Sequence, residues 1–176
     1  MDVLIVGAGL VGLEKLNAIL HQAPLTRVKI VGKEVMEEIR QLAAVHQNVI
    51  VEKKPFVQND LDHSDVVIIA INDTAESKRI HGAAKKRKKL VNVADKPELC
   101  DFYMSSIVKK GNLKIAISTN GKSPTIAKRL KQLFQDLLPE EIDQVLDNMS
   151  VIRSRLKGDF ASKVKQLNRI TEDMVS

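Results

Sequence analysis

The order of apolar and polar positions in the first part of the chain predicts strands that alternate with helices. Short continuous apolar runs lie at residues 3–6, 28–31, 49–51, 66–71 and 90–93. Such runs are typical of strands buried on both faces of a parallel sheet. The segments between them carry apolar residues at helical spacing. This alternation predicts an α/β fold with a Rossmann-type doubly wound parallel sheet.

A different pattern follows residue 95. Residues 103–108 and 113–118 predict two strands, and the short turn between them makes the pair antiparallel. A helix is predicted to begin at Pro124, with Ser123 as its N-cap, and to end before Pro139. Two further helical stripes follow, and they need a surface to pack on. From periodicity alone, that surface belongs either to the same chain or to a sister subunit.

A glycine-rich segment joins the first predicted strand to the first predicted helix. Gly7, Gly9 and Gly12 form the pattern G-x-G-x-x-G directly after an apolar run and before helical spacing. In this context the first glycine makes a tight turn, the second lets a pyrophosphate approach the backbone, and the third lets the helix pack closely. The segment predicts a dinucleotide site at the start of a helix, where free N–H groups attract an anion.

Charged residues after the second predicted strand bear on cofactor choice. Glu34 lies a little beyond the expected strand tip, where an acid binds the adenosine ribose hydroxyls. Lys33 beside it would instead meet a 2′-phosphate, so NAD and NADP both remain open. Glu34 as a simple cap of the next helix also remains open.

Polar residues also follow the fourth predicted strand. Asn72 and Asp73 stand at the carboxyl end of a central strand, the edge that faces the ligand in doubly wound sheets. They are candidate cofactor contacts, and helix capping explains them equally well.

Composition narrows the class of protein. The net charge of +6 favours an anionic partner, but only 3% of residues are aromatic and none is tryptophan, which leaves few platforms for nucleic-acid bases. A small polyanion suits the charge equally well. The apolar runs are too short to span a membrane. With one cysteine and no basic-apolar leader before the first strand, we expect a cytoplasmic protein.

Two other features favour structural interpretations. The basic run at residues 85–89 follows a predicted helix, where cations complement the helix dipole. Cys100 has no nearby partner cysteine, so we interpret it as a structural thiol. The four histidines lack metal-ligand spacing, and we expect no metal site.

Asp95 follows the fifth predicted strand and precedes Pro97. A carboxylate near a nicotinamide cofactor can accept the proton that accompanies hydride loss. From the residues alone, a turn-capping role for Asp95 is as good an interpretation as catalysis.

Two downstream motifs are specific: residues 91–102 read VNVADKPELCDF and residues 116–124 read AISTNGKSP. They resemble the precorrin-2 dehydrogenase family, the N-terminal part of siroheme synthases and its stand-alone relatives. The family pattern is roughly N-V-x-D-x-P-x-x-C-x-F, then A-[IV]-S-[ST]-G-G-x-S-P. Residues 7–15 are similar to the family's cofactor loop.

The resemblance implies NAD-dependent oxidation of precorrin-2 to sirohydrochlorin by an interlocked homodimer. The three parts are then an NAD-binding Rossmann domain (residues 1–102), a dimerisation hairpin and helix (103–138) and a small helical C-terminal domain (139–176). Whether a separate chelatase takes the product is left open by the sequence. The alternatives are a bifunctional enzyme that also inserts iron, a chelatase without dehydrogenation, and a non-catalytic NAD-sensing domain.

The resemblance also assigns site residues. Asp95 matches the family's essential aspartate, which we interpret as the general base. The residues expected to bind the cofactor are Gly7, Gly9, Leu10, Val11, Gly12, Lys33, Glu34, Asn72 and Asp73. The residues expected to bind the substrate are Thr119, Asn120, Lys122 and Ser123, with residues 85–89 attracting its carboxylates.

The chain departs from the family pattern at several positions. Gly12 stands where alanine is usual, and Glu14 where arginine is common. Asn120 replaces the first glycine of the G-G pair, which puts the shape of the substrate loop in question. Ser105 stands where proline is common, and the usual short leader is missing.

Overall fold

The computed structural model of the chain describes residues 1–172. It divides into two compact units. The first contains residues 1–104 and 120–122, and the second contains residues 105–119 and the described chain from residue 123 onwards. The three-domain division at residues 102 and 138 stays a prediction, and residues 173–176 of the third predicted domain lie outside the described residues.

The first unit contains the predicted parallel sheet. Its five strands lie in the order β3-β2-β1-β4-β5 and all pair in parallel. The α/β, Rossmann-type fold class is therefore confirmed. The strands are β1 Asp2–Ala8, β2 Arg27–Val35, β3 Val49–Lys53, β4 Val66–Ile69 and β5 Leu90–Val93, and the helices are α1 Leu10–Gln22, α2 Glu37–Val45 and α3 Thr74–Lys86.

Alternate residues of the central strands supply two cores, one on each face of the sheet. Val3 and Ile5 of β1 face a core that includes Leu16 and Ile19 of α1. Leu4 and Val6 face the other core, and Ile80 of α3 belongs to it. Because both faces are covered, the strands are apolar throughout, which explains the continuous runs in the sequence.

The second unit begins with an antiparallel hairpin, β6 Ser106–Lys110 and β7 Leu113–Ile117. The predicted strand at residues 103–108 began too early and ended too soon, because Lys109 and Lys110 pair in the ladder instead of turning. The turn is made by Gly111, at φ +56°, and Asn112, whose N–H donates to Asp143 Oδ1 at 2.7 Å.

Three helices complete the second unit: α4 Pro124–Leu137, α5 Ile142–Arg155 and α6 Phe160–Ile170. The predicted cap is confirmed, since Ser123 Oγ accepts a hydrogen bond from the Ile126 N–H at 3.2 Å. Helix α4 packs on the hairpin. Within residues 1–172, none of the helices combines the length and apolar character that crossing a bilayer requires.

One buried carboxylate anchors the segment that follows β3. The Asp60 side chain is only 2% exposed and contacts Lys54 Nζ at 2.7 Å and Lys29 Nζ at 3.0 Å, while the Val57 N–H donates to it at 2.9 Å. Burial by itself raises the pKa of Asp60, but these partners hold that pKa below its ordinary value. Asp60 is therefore charged in the folded protein and stabilises it.

We expect Asp60→Asn to lower the free energy of unfolding by about 2 kcal/mol at pH 7, since it leaves two ammonium groups without their buried partner. The folded-state pKa is depressed, so the stabilisation is fully present above the unfolded-state pKa of about 3.9 and is lost as pH falls through the folded-state value. Urea unfolding at pH 7 and at pH 3 measures both effects. Asp62→Asn, at a half-exposed aspartate with a looser ion pair, is the control; an Asp60→Asn effect independent of pH would contradict the account.

Candidate functional site

The order in which the chain adds strands reverses between β1 and β4, and the carboxyl ends of these two strands lie side by side. These two strands are neighbours, but the chain leaves β1 for helix α1 and β4 for helix α3, and the two helices contribute to cores on opposite faces. A crevice at this point is where open α/β sheets bind ligands. The glycine segment runs from the end of β1 into the start of α1, and Asn72 and Asp73 follow β4. The fold therefore brings these two predicted groups together at the carboxyl ends of the strands.

The three glycines of the loop differ in what surrounds them. Gly7 has φ +111°, and a Cβ there would collide with the Ala70 carbonyl. A Cβ on Gly12 would collide with the Gly7 carbonyl oxygen. A Cβ on Gly9 would meet no atom of residues 1–172 within 4 Å beyond its chain neighbours. Gly7 and Gly12 are therefore required by the packing of the chain itself, whereas Gly9 borders open space.

The start of helix α1 is prepared for an anion. Its N-cap is Gly9, which has no side chain to cap the helix, and its first turn contains no acidic residue. The first N–H groups of a helix have no partner within the helix, so those following Gly9, from Leu10 and Val11 onwards, can bind a ligand. Together with the space beside Gly9, this end fits a dinucleotide pyrophosphate.

Lys33 and Glu34 lie in a bulge of β2. Val6 pairs with Val31, yet Ala8 pairs with Val35, so the β2 side has two extra residues. The expectation that Glu34 follows the strand was wrong, because β2 continues to Val35. The capping alternative is also excluded, since α2 begins at Glu37 with Met36 as its N-cap.

The bulge exposes both charged side chains near the glycine loop. The glycine at position 32 permits this bulge, because a Cβ there would lie only 2.9 Å from the Cβ of Ala8 and collide with it. That Glu34 binds the ribose hydroxyls of NAD, or that Lys33 meets the 2′-phosphate of NADP, stays a prediction.

The residues after β4 divide into one cap and one exposed amide. Asp73 Oδ1 accepts a hydrogen bond from the Glu76 N–H at 2.9 Å, so Asp73 is the N-cap of α3. Glu76 itself forms a two-bond ion pair with Arg79, which holds the pKa of Glu76 below its ordinary value. Asn72 is exposed on the same edge. Their contact with a cofactor stays a prediction.

Asp95 occupies a tight turn at the carboxyl end of β5. The Lys96 N–H donates to the Val93 carbonyl at 3.3 Å, and the Ala94 N–H donates to Ile69 of β4 at 2.9 Å. Asp95 has φ +58°, in the left-handed region that aspartate tolerates better than most residues. Its strand lies two positions from β1, which corresponds to about 10 Å at ordinary strand spacing.

The Asp95 side chain does not cap the following turn. Residues 97–99 form a short 3-10 helix whose N-cap is Lys96, with no side-chain cap bond. Asp95 is exposed, and within residues 1–172 no side chain or backbone group pairs with its carboxylate. The carboxylate is therefore available to a ligand at the edge that carries the glycine loop.

A short segment covers the open edge of β5. The Asp101 N–H donates to the Val91 carbonyl at 2.8 Å, and the Val91 N–H donates to the Asp101 carboxylate at 2.8 Å. Asn92, only 7% exposed, donates to the Phe102 carbonyl at 2.9 Å. We call residues 100–102 the edge strap.

Sequence reasoning missed the roles of Asn92 and Asp101. The sequence did contain a signal for Asn92, because an amide side chain inside a buried apolar run needs a hydrogen-bond partner. The pKa of Asp101 is held low by the hydrogen bond from Lys85 and then by the Val91 N–H.

The predicted substrate loop is divided between the two units. Thr119 Oγ1 accepts a hydrogen bond from the Ser123 N–H at 3.1 Å in the second unit, so both residues shape the start of α4. Asn120 and Gly121 have φ +50° and +76°. Asn120 thus accepts the left-handed conformation that a glycine would adopt freely.

Tyr103 links that loop to the Asp95 turn within the first unit. A Cβ placed on Gly121 would lie 3.2 Å from Tyr103 Cε1, so the ring packs against the loop. The Tyr103 hydroxyl donates to the Pro97 carbonyl at 3.4 Å. Sequence reasoning placed Tyr103 in a strand and missed this contact. The fold therefore brings residues 120–122, including exposed Lys122, and the Asp95 turn to one aromatic side chain.

The basic run at residues 85–89 lies at the amino end of β5, opposite to the end that carries the glycine loop. It precedes β5, whereas Asp95 follows that strand. Lys85 pairs with Asp101 at 2.7 Å, and the Arg87 guanidinium pairs with Asp62 and donates to the Gln58 carbonyl. The expectation that this run attracts the carboxylates of the substrate stays a prediction; α3 carries the run to the end of β5 opposite to Asp95. Its interpretation as a helix-terminal cluster is supported.

Comparison with known proteins adds sequence and structural relatives. The family model described as "Putative NAD(P)-binding" matches residues 1–106, and the model "Sirohaem biosynthesis protein central" matches residues 110–137. A solved structure described as "SirC, precorrin-2 dehydrogenase" has a TM-score of 0.74 and 26% identity, covering 98% of this chain and 85% of that chain.

Two curated relatives are siroheme synthases. The siroheme synthase of Zymomonas mobilis is 34% identical over 155 residues, which cover 88% of this chain and 32% of the relative. Siroheme synthase 1 of Yersinia enterocolitica is 34% identical over 162 residues, covering 91% and 33%. The chain thus spans about a third of the length of these relatives.

We expect Gly9→Ala to weaken NAD binding about tenfold or more, because its methyl group enters the space where the pyrophosphate approaches the backbone. The melting temperature should stay close to that of the wild type, since the described residues 1–172 leave space for that methyl group. Titration calorimetry with NAD and with NADP measures affinity, and thermal unfolding measures stability.

Gly12→Ala is the matched control for this prediction. Its methyl group would collide with the Gly7 carbonyl, so it should lower the melting temperature. Equal cofactor affinity in the wild type and Gly9→Ala would argue against the glycine loop as the cofactor site.

Proposed function

The chain belongs to the precorrin-2 dehydrogenase and siroheme synthase N-terminal family, and from that premise we propose that it oxidises precorrin-2 to sirohydrochlorin with NAD. In this proposal the glycine loop holds the cofactor and Asp95 is the general base. The observation that carries it is the unpaired Asp95 carboxylate at the sheet edge that also carries Gly9.

The reaction requires the protein to position the substrate against the cofactor and to supply one proton acceptor. When bound, NAD supplies the hydride acceptor. Oxidation of a tetrapyrrole also releases a proton, and the Asp95 carboxylate takes it directly or through one water molecule. Because Asp95 has no partner within residues 1–172, no ion pair must break before it accepts that proton. The left-handed turn defines the backbone position from which this carboxylate projects.

The substrate is a polycarboxylate, which matches the net charge of +6. In our proposal the exposed ammonium of Lys122 and the Asn120 backbone bind its carboxylates. Tyr103 supports this assignment, because its contacts join residues 120–122 to the Asp95 turn. The roles of Thr119 and Ser123 towards the substrate stay predictions, since the bonds given for their hydroxyls serve the start of α4.

We expect Asp95→Asn to lower kcat for sirohydrochlorin formation by about a hundredfold or more, because the amide cannot accept the proton. The NAD dissociation constant should be unchanged, since the glycine loop is intact. Anaerobic incubation with precorrin-2 and NAD, followed by sirohydrochlorin absorbance, measures the rate.

Glu98→Gln is the control, because it removes another exposed carboxylate from the segment after the turn. Absence of turnover by the wild type with NAD and with NADP would refute the dehydrogenase proposal, and NAD binding without turnover would favour a sensing domain. Supplying Fe(II) with sirohydrochlorin tests metal insertion separately.

The second part of the proposal is a homodimer formed through α4. Its outward face carries an apolar stripe at helical spacing. The exposed fractions are Ile126 55%, Leu130 36%, Leu133 50% and Leu137 66%. Such a stripe is costly in water and is typical of an interface. A neighbouring side of the helix is already used, since Ala127 is buried and α4 packs on the hairpin.

We expect Leu133→Lys to shift the protein from dimer to monomer, because a charge within the stripe opposes burial. Sedimentation velocity over a range of concentrations measures this change. Gln132→Lys adds the same charge beside the stripe and should leave the dimer intact. A wild type that is monomeric throughout would contradict this part of the proposal without affecting the dehydrogenase assay.

A further inference from the structure

The Cys100 side chain contacts the Asp95 turn on both sides. The Val93 N–H donates to Sγ at 3.2 Å, on the strand side of Asp95. The thiol in turn faces the Val93 carbonyl at 3.2 Å and the Lys96 carbonyl at 3.3 Å, and Lys96 follows Asp95. One sulfur atom therefore joins the residues that enter and leave the turn.

These contacts act where the backbone needs support. Asp95 adopts φ +58°, a conformation that is unfavourable for a residue with a side chain. Such a residue persists only where its surroundings hold it in place. The turn's own bond from the Lys96 N–H to Val93 is long, at 3.3 Å. The sulfur supplies additional ties to the same two residues.

Cys100 is itself held by neighbouring residues. It belongs to the edge strap, whose Asp101 is bonded to β5 in both directions. The Asn92 amide lies 3.5 Å from Sγ and also donates to the Phe102 carbonyl. The edge strap thus fixes the sulfur relative to β5, and the sulfur in turn contacts the residues of the Asp95 turn.

We propose that Cys100 is a positioning residue for Asp95, with its thiol holding the turn that presents the carboxylate. The inference rests on the proposed function for its effect on catalysis, but the holding of the turn is independent of that function. An inert buried thiol would contribute packing alone. The geometry differs from that case, because the sulfur bonds to the backbone on both sides of one exposed carboxylate.

The test compares Cys100→Ala with Cys100→Ser and with Leu99→Ala. Alanine removes every bond to the turn, whereas the serine hydroxyl can still donate to one carbonyl and accept from the Val93 N–H. Leu99 lies in the same segment and packs against the core below α3, so Leu99→Ala loses packing and keeps the sulfur bonds.

We expect kcat to fall about tenfold in Cys100→Ala, with the NAD dissociation constant unchanged, because misplacing a reacting group costs rate. Cys100→Ser should recover most of that loss, and Leu99→Ala should lower the melting temperature with kcat close to wild type. A kcat of Cys100→Ala within about twofold of wild type, or a loss that merely follows the melting temperature across the variants, would overturn the proposal.

Hydrogen exchange separates this inference from the dehydrogenase proposal. Amides of residues 91–96 should exchange faster in Cys100→Ala than in the wild type or in Leu99→Ala. If the wild type lacks turnover, the proposed function fails, while faster exchange still supports the holding of the turn. Equal exchange in the wild type and Cys100→Ala would overturn the inference whatever the activity.

Discussion

The parallel pairing of β1 with β2 and β4 is the constraint on which the rest of the first unit depends. Parallel strands all end at the same edge, so the loops that follow them meet there whatever their separation in sequence. The glycine loop, the β2 bulge, Asn72 and the Asp95 turn are far apart along the chain, yet each follows or ends a strand of this sheet. The predicted dinucleotide site and the candidate base therefore lie at the same end of the strands because of the backbone topology alone.

Ending the sheet at β5 creates a second requirement. An edge strand presents unpaired backbone groups, and proteins cover or blunt such edges. Here the edge strap does so with the Asp101 backbone and carboxylate, and the buried Asn92 amide completes the cover. The cover begins at Cys100, after the short 3-10 helix that follows the Asp95 turn, and the Cys100 thiol contacts that turn. The segment that protects the edge therefore also holds the candidate base. Stability of the fold and geometry of the site depend here on the same short segment.

Sequence reasoning located the candidate groups better than it described their surroundings. G-x-G-x-x-G between a strand and a helix carries its own local explanation, and Asp73 and Ser123 followed ordinary capping rules. The β2 bulge was not predictable, because it depends on how Ala8 and Val35 pair across two strands. Which end of the strands the basic run reaches was also not predictable, because charge along the chain does not tell where a helix carries it. Tyr103 was missed because its partners, Pro97 and Gly121, lie on either side of the hairpin in sequence.

The sequence by itself determined the order of elements, the two-faced burial of the strands, the glycine loop and the position of Asp95 after the fifth strand. Each of these follows from local periodicity or from backbone conformations that a few residue types adopt. Only the tertiary structure decided that Gly9 borders open space while Gly7 and Gly12 do not. It also decided that the Asp95 carboxylate has no partner within residues 1–172 and that Cys100 bonds to both sides of its turn. Such facts depend on distances between segments, and those distances are set by how the sheet is ordered and how its open edge is covered.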